Sequence, residues 1–302
     1  MDVVGHLLSV SFYEGLAYGF VAIGVYLTFR VLGFPDLTVD GSFPLGGAVA
    51  AVLIVAGANP WLATLAALAA GLVAGTCTAL LNTKLRISAL LSGILVMVAL
   101  YSVNLLIMGR ANISLLRDIT VFEQFSAFLG IKTGLTLSII LLAILSGATL
   151  LFLNWFLRTD IGLALRATGD NEQMVRGLGT DTDMTTIMGV ALSNGMVSFA
   201  GALISQNQGV ADVGMGVGMI VMGLASVIVG EGVFRPKGIT WILLAVFGGA
   251  FLYRLFLSIV LQMGLAPANL KLVTALLVVA ALVVPYIQKK LRHEWIPPAV
   301  RM

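Results

Sequence analysis

Charge is nearly absent from most of this chain, in blocks long enough to cross a bilayer, and that narrows the available folds more than any motif. About nine such blocks follow one another, at residues 12–29, 43–58, 61–81, 88–108, 135–157, 184–204, 215–229, 239–261 and 272–287, against the roughly 20 residues that a helical crossing needs. The second and the seventh are short. Of the 302 residues, 59% are hydrophobic and 10% charged, with a mean hydropathy of +1.05. A soluble domain carries about 25% charged residues, so lipid must be the solvent for most of the surface. The sequence predicts an all-α, polytopic membrane protein of about nine transmembrane helices.

The remaining charge lies in the connections, and it alternates. Arg30, Lys84, Arg86, Arg158, Arg166, Arg176, Arg235, Lys237, Lys289, Lys290, Arg292 and Arg301 fall on one side of the spans. Arg110, Arg117, Lys132 and Lys271 fall on the other, and Arg254 lies within the outer half of a span, where it can snorkel or pair. The positive-inside rule makes the first side cytoplasmic, with the N-terminus outside and the C-terminus in the cytoplasm. A net charge of +3, spread over short loops, gives no surface for nucleic acid. Met1-Asp2 lacks a basic n-region, and the first apolar run reads as a retained span rather than a signal peptide. Cys77 stands alone in an apolar run, and His6 and His293 lie at opposite ends, so no disulfide framework or metal-ligand spacing is present in the sequence.

One transmembrane domain covers 1–302, with a first half at about 12–109, an external connection at 110–133, and a second half at about 135–288. The I-S-L-L-R-D and F-E-Q-F-S-A-F-L pieces of the connection read as a short amphipathic helix at the outer surface. Each half contains one short, glycine-interrupted segment: F-P-D-L-T-V-D-G-S-F-P-L-G-G-A-V-A-A from Phe34 to Ala51, and G-V-A-D-V-G-M-G-V-G-M-I-V-M-G-L-A-S-V-I-V-G-E from Gly209 to Glu231. The spans preceding the two run in opposite directions, the signature of an inverted repeat with broken helices beside a substrate path.

Pro35, Asp36, Thr38, Asp40, Gly41 and Ser42 cannot face lipid, where unpaired backbone and carboxylates cost several kcal/mol. They either line a translocation path or form a turn whose Asp40 and Ser42 cap the following helix. For Gly214, Gly216 and Gly218 the sequence predicts no preceding strand and holds no acidic residue at the dinucleotide spacing, which excludes a dinucleotide site; they allow a helix break or close backbone approach. The pairs Gly15/Gly19 and Gly71/Gly75 read as tight packing within the subunit. Ser102 and Asn104, with Ser193, Asn194, Ser198, Ser205, Gln206 and Asn207, are either path-lining groups or hydrogen bonds between helices. Within the spans no string of Asp, Glu and His forms a proton relay, and Gly130-Ile131-Lys132-Thr133 lacks the upstream glycine of a nucleotide-binding loop.

A pore without a visible engine directs attention to the polar segment 166–183, R-A-T-G-D-N-E-Q-M-V-R-G-L-G-T-D-T-D. It predicts a short helix, with Asp170 or Asn171 accepting the first free amides and Gly177 or Gly179 closing it in a left-handed turn. The segment resembles the coupling-helix signature of ABC importer permeases of the branched-chain amino acid and ribose type, commonly R-A-x-G-x-N-x-x-A-A-x-x-x-G-I. Arg166, Ala167, Gly169, Asn171 and Gly179 fall on the pattern; Met174-Val175 replace the usual paired small residues, and Thr180 the usual isoleucine. The V-D-G-S stretch at 39–42 is closest to a subgroup linked to amino-acid uptake, including predicted aromatic amino-acid systems.

The resemblance implies a permease of the bacterial inner membrane that is not itself an enzyme and holds no cofactor. ATP and magnesium would sit on separate cytoplasmic ATPase subunits contacting Arg166, Gly169, Asp170, Asn171, Glu172, Arg176 and Gly179. An extracytoplasmic binding protein would deliver the substrate, a second permease copy would complete a homodimer in the lipid, and no nucleic acid would take part. Asp40, Ser42, Ser102, Asn104, Asn194, Ser198, Gly214, Gly216 and Gly218 are the candidates for the path. The competing readings are an ion-coupled secondary carrier built on inverted repeats, or the same ABC role with a sugar or nucleoside substrate.

Overall fold

The computed structural model describes residues 3–130 and 134–264, together with 269, 272–279 and 283. In chain order it contains α1 (Val3–Val25), a π-helical turn (Tyr26–Val31), α2 (Val39–Val55), α3 (Pro60–Thr83), α4 (Ala89–Met108), β1 (Asn112–Ser114), α5 (Val121–Leu129) and α6 (Leu135–Phe156). There follow α7 (Asp160–Asp170), α8 (Glu172–Gly177), α9 (Thr182–Gln208), β2 (Val210–Asp212), α10 (Met219–Phe234) and α11 (Ile239–Gln262). Among the described residues, 6 helices are long and apolar enough to span a membrane, and α2 and α10 are shorter apolar helices. These eight match eight of the nine expected spans; of the ninth, 272–287, the described residues 272–279 and 283 are helical and the rest lies outside the described residues.

The helices begin where the sequence supplies acceptors. The Asn59 side chain accepts from Trp61 N at 2.9 Å ahead of Pro60. Thr120 and Glu123 form a reciprocal capping box on α5, and Asp181 accepts from Asp183 N and Met184 N at the start of α9. Each satisfies amides that a helix cannot bond internally.

α9 is the hub of the bundle. Its apolar window is 72% buried, the largest share among the long helices, and α1, α2 and α3 pack around it. The approach is close because small residues face it: a Cβ at Gly71 or Gly75 of α3 would overlap the carbonyls of Asn194 and Val190. Across this contact Ser198 Oγ donates to Ala67 O at 2.6 Å. Gly15 and Gly19 of α1 lie in the same way against Phe251 and Phe247 of α11. Both G-x-x-x-G pairs therefore serve packing within the subunit, where van der Waals contact and hydrogen bonds, rather than a hydrophobic force, hold helices together in lipid.

The alternation of charge is realised as two ends of the bundle. At the basic end Arg30 pairs with Glu231 at 3.1 Å, Lys84 with Asp183 at 3.0 Å, and Arg158 Nη2 donates to Thr240 Oγ1 at 2.9 Å. At the opposite end the described part of the connection, 110–130, folds over the end of α9. Part of it departs from the sequence reading: among its described residues only Val121–Leu129 is helical, whereas Asn112–Ser114 forms a strand antiparallel to β2, with Ile113 opposite Ala211. A three-residue strand whose partner lies almost a hundred residues away leaves no local pattern to read. Val121 N donates to Gln206 Oε1 at 3.0 Å and fixes α5 to α9.

Candidate functional site

The two interrupted segments come together at the centre of the molecule. The chain leaves helical form after the π turn, runs through 33–38, and re-enters a helix at Val39. Asp36 Oδ1 accepts from Thr38 N at 2.9 Å and steadies that break, while Thr38 Oγ1 meets Thr78 Oγ1 of α3 at 2.7 Å. Asp36 Oδ2 accepts from Asn194 Nδ2 at 2.6 Å, and Asn194 Oδ1 accepts from Ser42 Oγ at 2.7 Å. Asp36 is 2% exposed and Asn194 and Ser42 are 0%, so each acceptor is held by a donor that water does not replace.

Asp40 does not cap its own helix. Its two carboxylate oxygens accept from Gly218 N at 3.0 Å and Ile220 N at 2.8 Å, at the start of α10. A carboxylate here meets both the free amides and the positive end of the helix. Gly216 makes the approach possible, since a Cβ there would overlap the Asp40 carbonyl and Pro44. The first interrupted segment thus holds the second in place.

The other path candidates divide by location. Ser198 is fully buried against α3, and Asn104 is buried and donates from Nδ2 to Gly41 O at 3.3 Å while its Oδ1 has no partner among the described residues. Ser102 is exposed on α4; Gly214 is exposed and Gly218 half-buried in the turns before α10. Ser193, fully buried, donates to Gly24 O at 2.6 Å. Gln206 and Asn207 line a cavity of about 450 Å³ at the opposite end, beside Tyr13, Glu123 and Ser138. Arg254 finds two partners: its guanidinium lies 3.4 Å over the Tyr18 ring and 3.6 Å from Glu14.

At the basic end the polar segment forms two helices rather than one. Thr159 caps α7, accepting from Gly162 N at 3.3 Å, and Asn171 caps α8, accepting from Met174 N at 3.0 Å. Of the residues weighed for the caps, Asn171 starts α8 and Gly179, at φ +87°, is the one with left-handed backbone beyond its end. Asp170 ends α7, exposed. Gly169 abuts the π turn, where a Cβ would overlap the Val31 carbonyl. Arg176 Nη2 donates to Glu172 Oε1 at 2.8 Å, Thr182 Oγ1 at 2.7 Å and Asp183 Oδ1 at 3.2 Å, and Lys84 reaches the same Asp183. Arg166 is half-buried. Val175 turns inward while Met174 and Leu178 stand 55% and 76% exposed.

Sequence reasoning missed the residues that support these sites: Asp36 as the acceptor for Asn194, Lys84 and Asp183 as the brace of α8, and Val31 as the seat of Gly169. Only Asp36 carried a signal, as an acid next to proline at a helix break.

Two interrupted helices joined through one carboxylate, within a bundle of apolar spans that presents a short capped helix at its basic end, define a membrane transport subunit. The chain matches over residues 7–282 the family described as branched-chain amino acid transport system, permease component. It belongs to that family of ABC transporter permeases, and its role is in ATP-driven import. It is 37% identical over 269 residues to a tyrosine transport system permease protein of Clostridioides difficile (89% of this chain, 88% of that one). It is 34% identical to an uncharacterized protein of Rickettsia prowazekii (86% and 91%) and 26% identical to a galactofuranose transporter permease protein of Escherichia coli K12 (87% and 75%). No solved structure matches the chain.

Proposed function

We propose that the chain is the translocation subunit of an ABC importer for amino acids, aromatic ones included, working with separate cytoplasmic ATPases, an extracytoplasmic binding protein and a second copy of itself. The observation that carries the role is α8, capped by Asn171, braced by Arg176 and Lys84, and outwardly apolar at Met174 and Leu178. Such a helix offers a partner a rigid contact surface. The basic end is then cytoplasmic, with the N-terminus outside and the C-terminus inside. The similarity to a tyrosine transport permease over most of both chains supports the substrate class.

Force applied to α8 has two rigid exits. One runs through α7 and Gly169 to the Val31 turn at the end of α1; the other runs through Arg176 and Asp183 to α9 and, by way of Lys84, to the end of α3. α9 carries Asn194, and Asn194 holds Asp36 and Ser42 beside the first interrupted segment. Asp40 passes the displacement on to α10. In this reading the halves are an inverted repeat around the joined segments, and the substrate passes between two copies of the chain. The test is uptake by the complete importer in proteoliposomes, competed with tyrosine, phenylalanine, leucine and galactose. Competition by amino acids alone supports the assignment, and competition by galactose alone overturns it.

A further inference from the structure

The basic end holds a second feature, which reaches from Arg166 and Asp170, next to the Asn171 cap of α8, to the α10–α11 connection. The π turn, α7 and the α10–α11 connection border an open cavity of about 570 Å³ lined by Arg30, Arg166, Asp170, Glu231, Arg235 and Lys237. Arg30 is matched by Glu231 at 3.1 Å. Among the described residues Arg166, Arg235 and Lys237 form no ion pair, so three cations face the single carboxylate of Asp170. A groove of about 490 Å³ continues from this cavity across the shared Arg235, Pro236 and Lys237. Its walls are apolar: Phe234, Trp241 and Leu244 are 52%, 66% and 44% exposed. Arg235 itself has left-handed backbone, at φ +43°, where the chain turns from α10 toward α11.

A cationic cavity opening into an apolar groove beside an exposed tryptophan matches one kind of ligand in its parts. Tryptophan favours the headgroup level of a bilayer, and basic pockets between transmembrane helices suit anionic headgroups. We propose that the cavity and groove form one site for an anionic glycerophospholipid, its phosphate held by Arg166, Arg235 and Lys237 and an acyl chain lying along Phe234, Trp241 and Leu244. A free phosphate would use the cavity and leave the groove unexplained. The inference rests on the orientation given above, which sets this end in the cytoplasmic leaflet.

The test uses the full chain in nanodiscs of phosphatidylcholine with added phosphatidylglycerol, and reads retained lipid by native mass spectrometry. Saturable retention of phosphatidylglycerol is expected, weakened roughly thirtyfold in the Arg235→Gln/Lys237→Gln variant and about fivefold in Lys237→Gln alone. Trp241→Ala should also lower retention, and Arg117→Gln at the opposite end should leave it unchanged. The single Lys237→Gln variant keeps the test decisive if the double variant does not fold. Equal retention by the wild type and the folded basic-site variants overturns the proposal. So does full displacement by millimolar inorganic phosphate, which marks a free-anion site, or loss of the lipid when the ATPase is added, which marks an engine interface. Since the readout is lipid retention, a failure of uptake would count against the transport reading and not against this site.

Discussion

Replacing Asp40 with alanine removes the acceptor for two amides of the first turn of α10, now bonded at 3.0 and 2.8 Å. A hydrogen bond to an ionised group contributes about 1.5–3 kcal/mol, and the carboxylate's attraction to the helix N-terminus adds about 0.3–1 kcal/mol. These contributions overlap, so the expected loss is about 3–5 kcal/mol, concentrated at the α2–α10 junction. Asparagine keeps one acceptor oxygen and should lose about half as much. Gly216 sits on the Asp40 carbonyl and Pro44, which leaves α10 little room to shift toward another acceptor. Hydrogen exchange read on peptides covering 213–222 in nanodiscs is the assay. The alanine variant should exchange there about a hundredfold faster or more, with peptides of α3 unchanged. Exchange within about threefold of wild type at 218–220 would refute the claim that one carboxylate joins the two interrupted segments.

Three further outcomes follow from the packing. Gly169→Val drives a side chain into the Val31 carbonyl; the subunit should still assemble with its ATPase while substrate transported per ATP falls at least tenfold, as measured in proteoliposomes. Gly71→Leu should cost about 3 kcal/mol or more by overpacking the α3–α9 contact, whereas Gly147→Leu, with no atom within 4 Å of its Cβ position, should stay within about 0.5 kcal/mol of wild type in thermal unfolding. Asn194→Leu strips a donor from buried Asp36 and an acceptor from buried Ser42, a loss of about 2–4 kcal/mol in the same assay.

The spans were legible because lipid imposes length and apolarity locally, and the two ends because charge is excluded from what lies between. Asn171 and Gly179 were legible as cap and stop because capping chemistry acts over a few residues. What the sequence hid are the long-range partners. Asp40 reads as the cap of the helix it begins, yet its carboxylate is spent on amides 178 and 180 residues away. Asn194 reads equally as a path residue or a packing residue, and its bonds to Asp36 and Ser42 belong to a contact 158 and 152 residues distant. The β1–β2 pair and the division of the polar segment into α7 and α8 depend on the same kind of tertiary information. Gly169 fell on the motif, but its physical reason, the carbonyl of Val31, appears only when α7 is folded against the π turn.

The most direct test is the energy source of uptake. Proteoliposomes holding this chain with its ATPase and binding protein should accumulate amino acid only when ATP and magnesium are supplied on the α8 side, with no uptake from a sodium or proton gradient alone. Undiminished accumulation driven by either gradient, in vesicles without any ATPase, would contradict the account and make the chain an ion-coupled carrier.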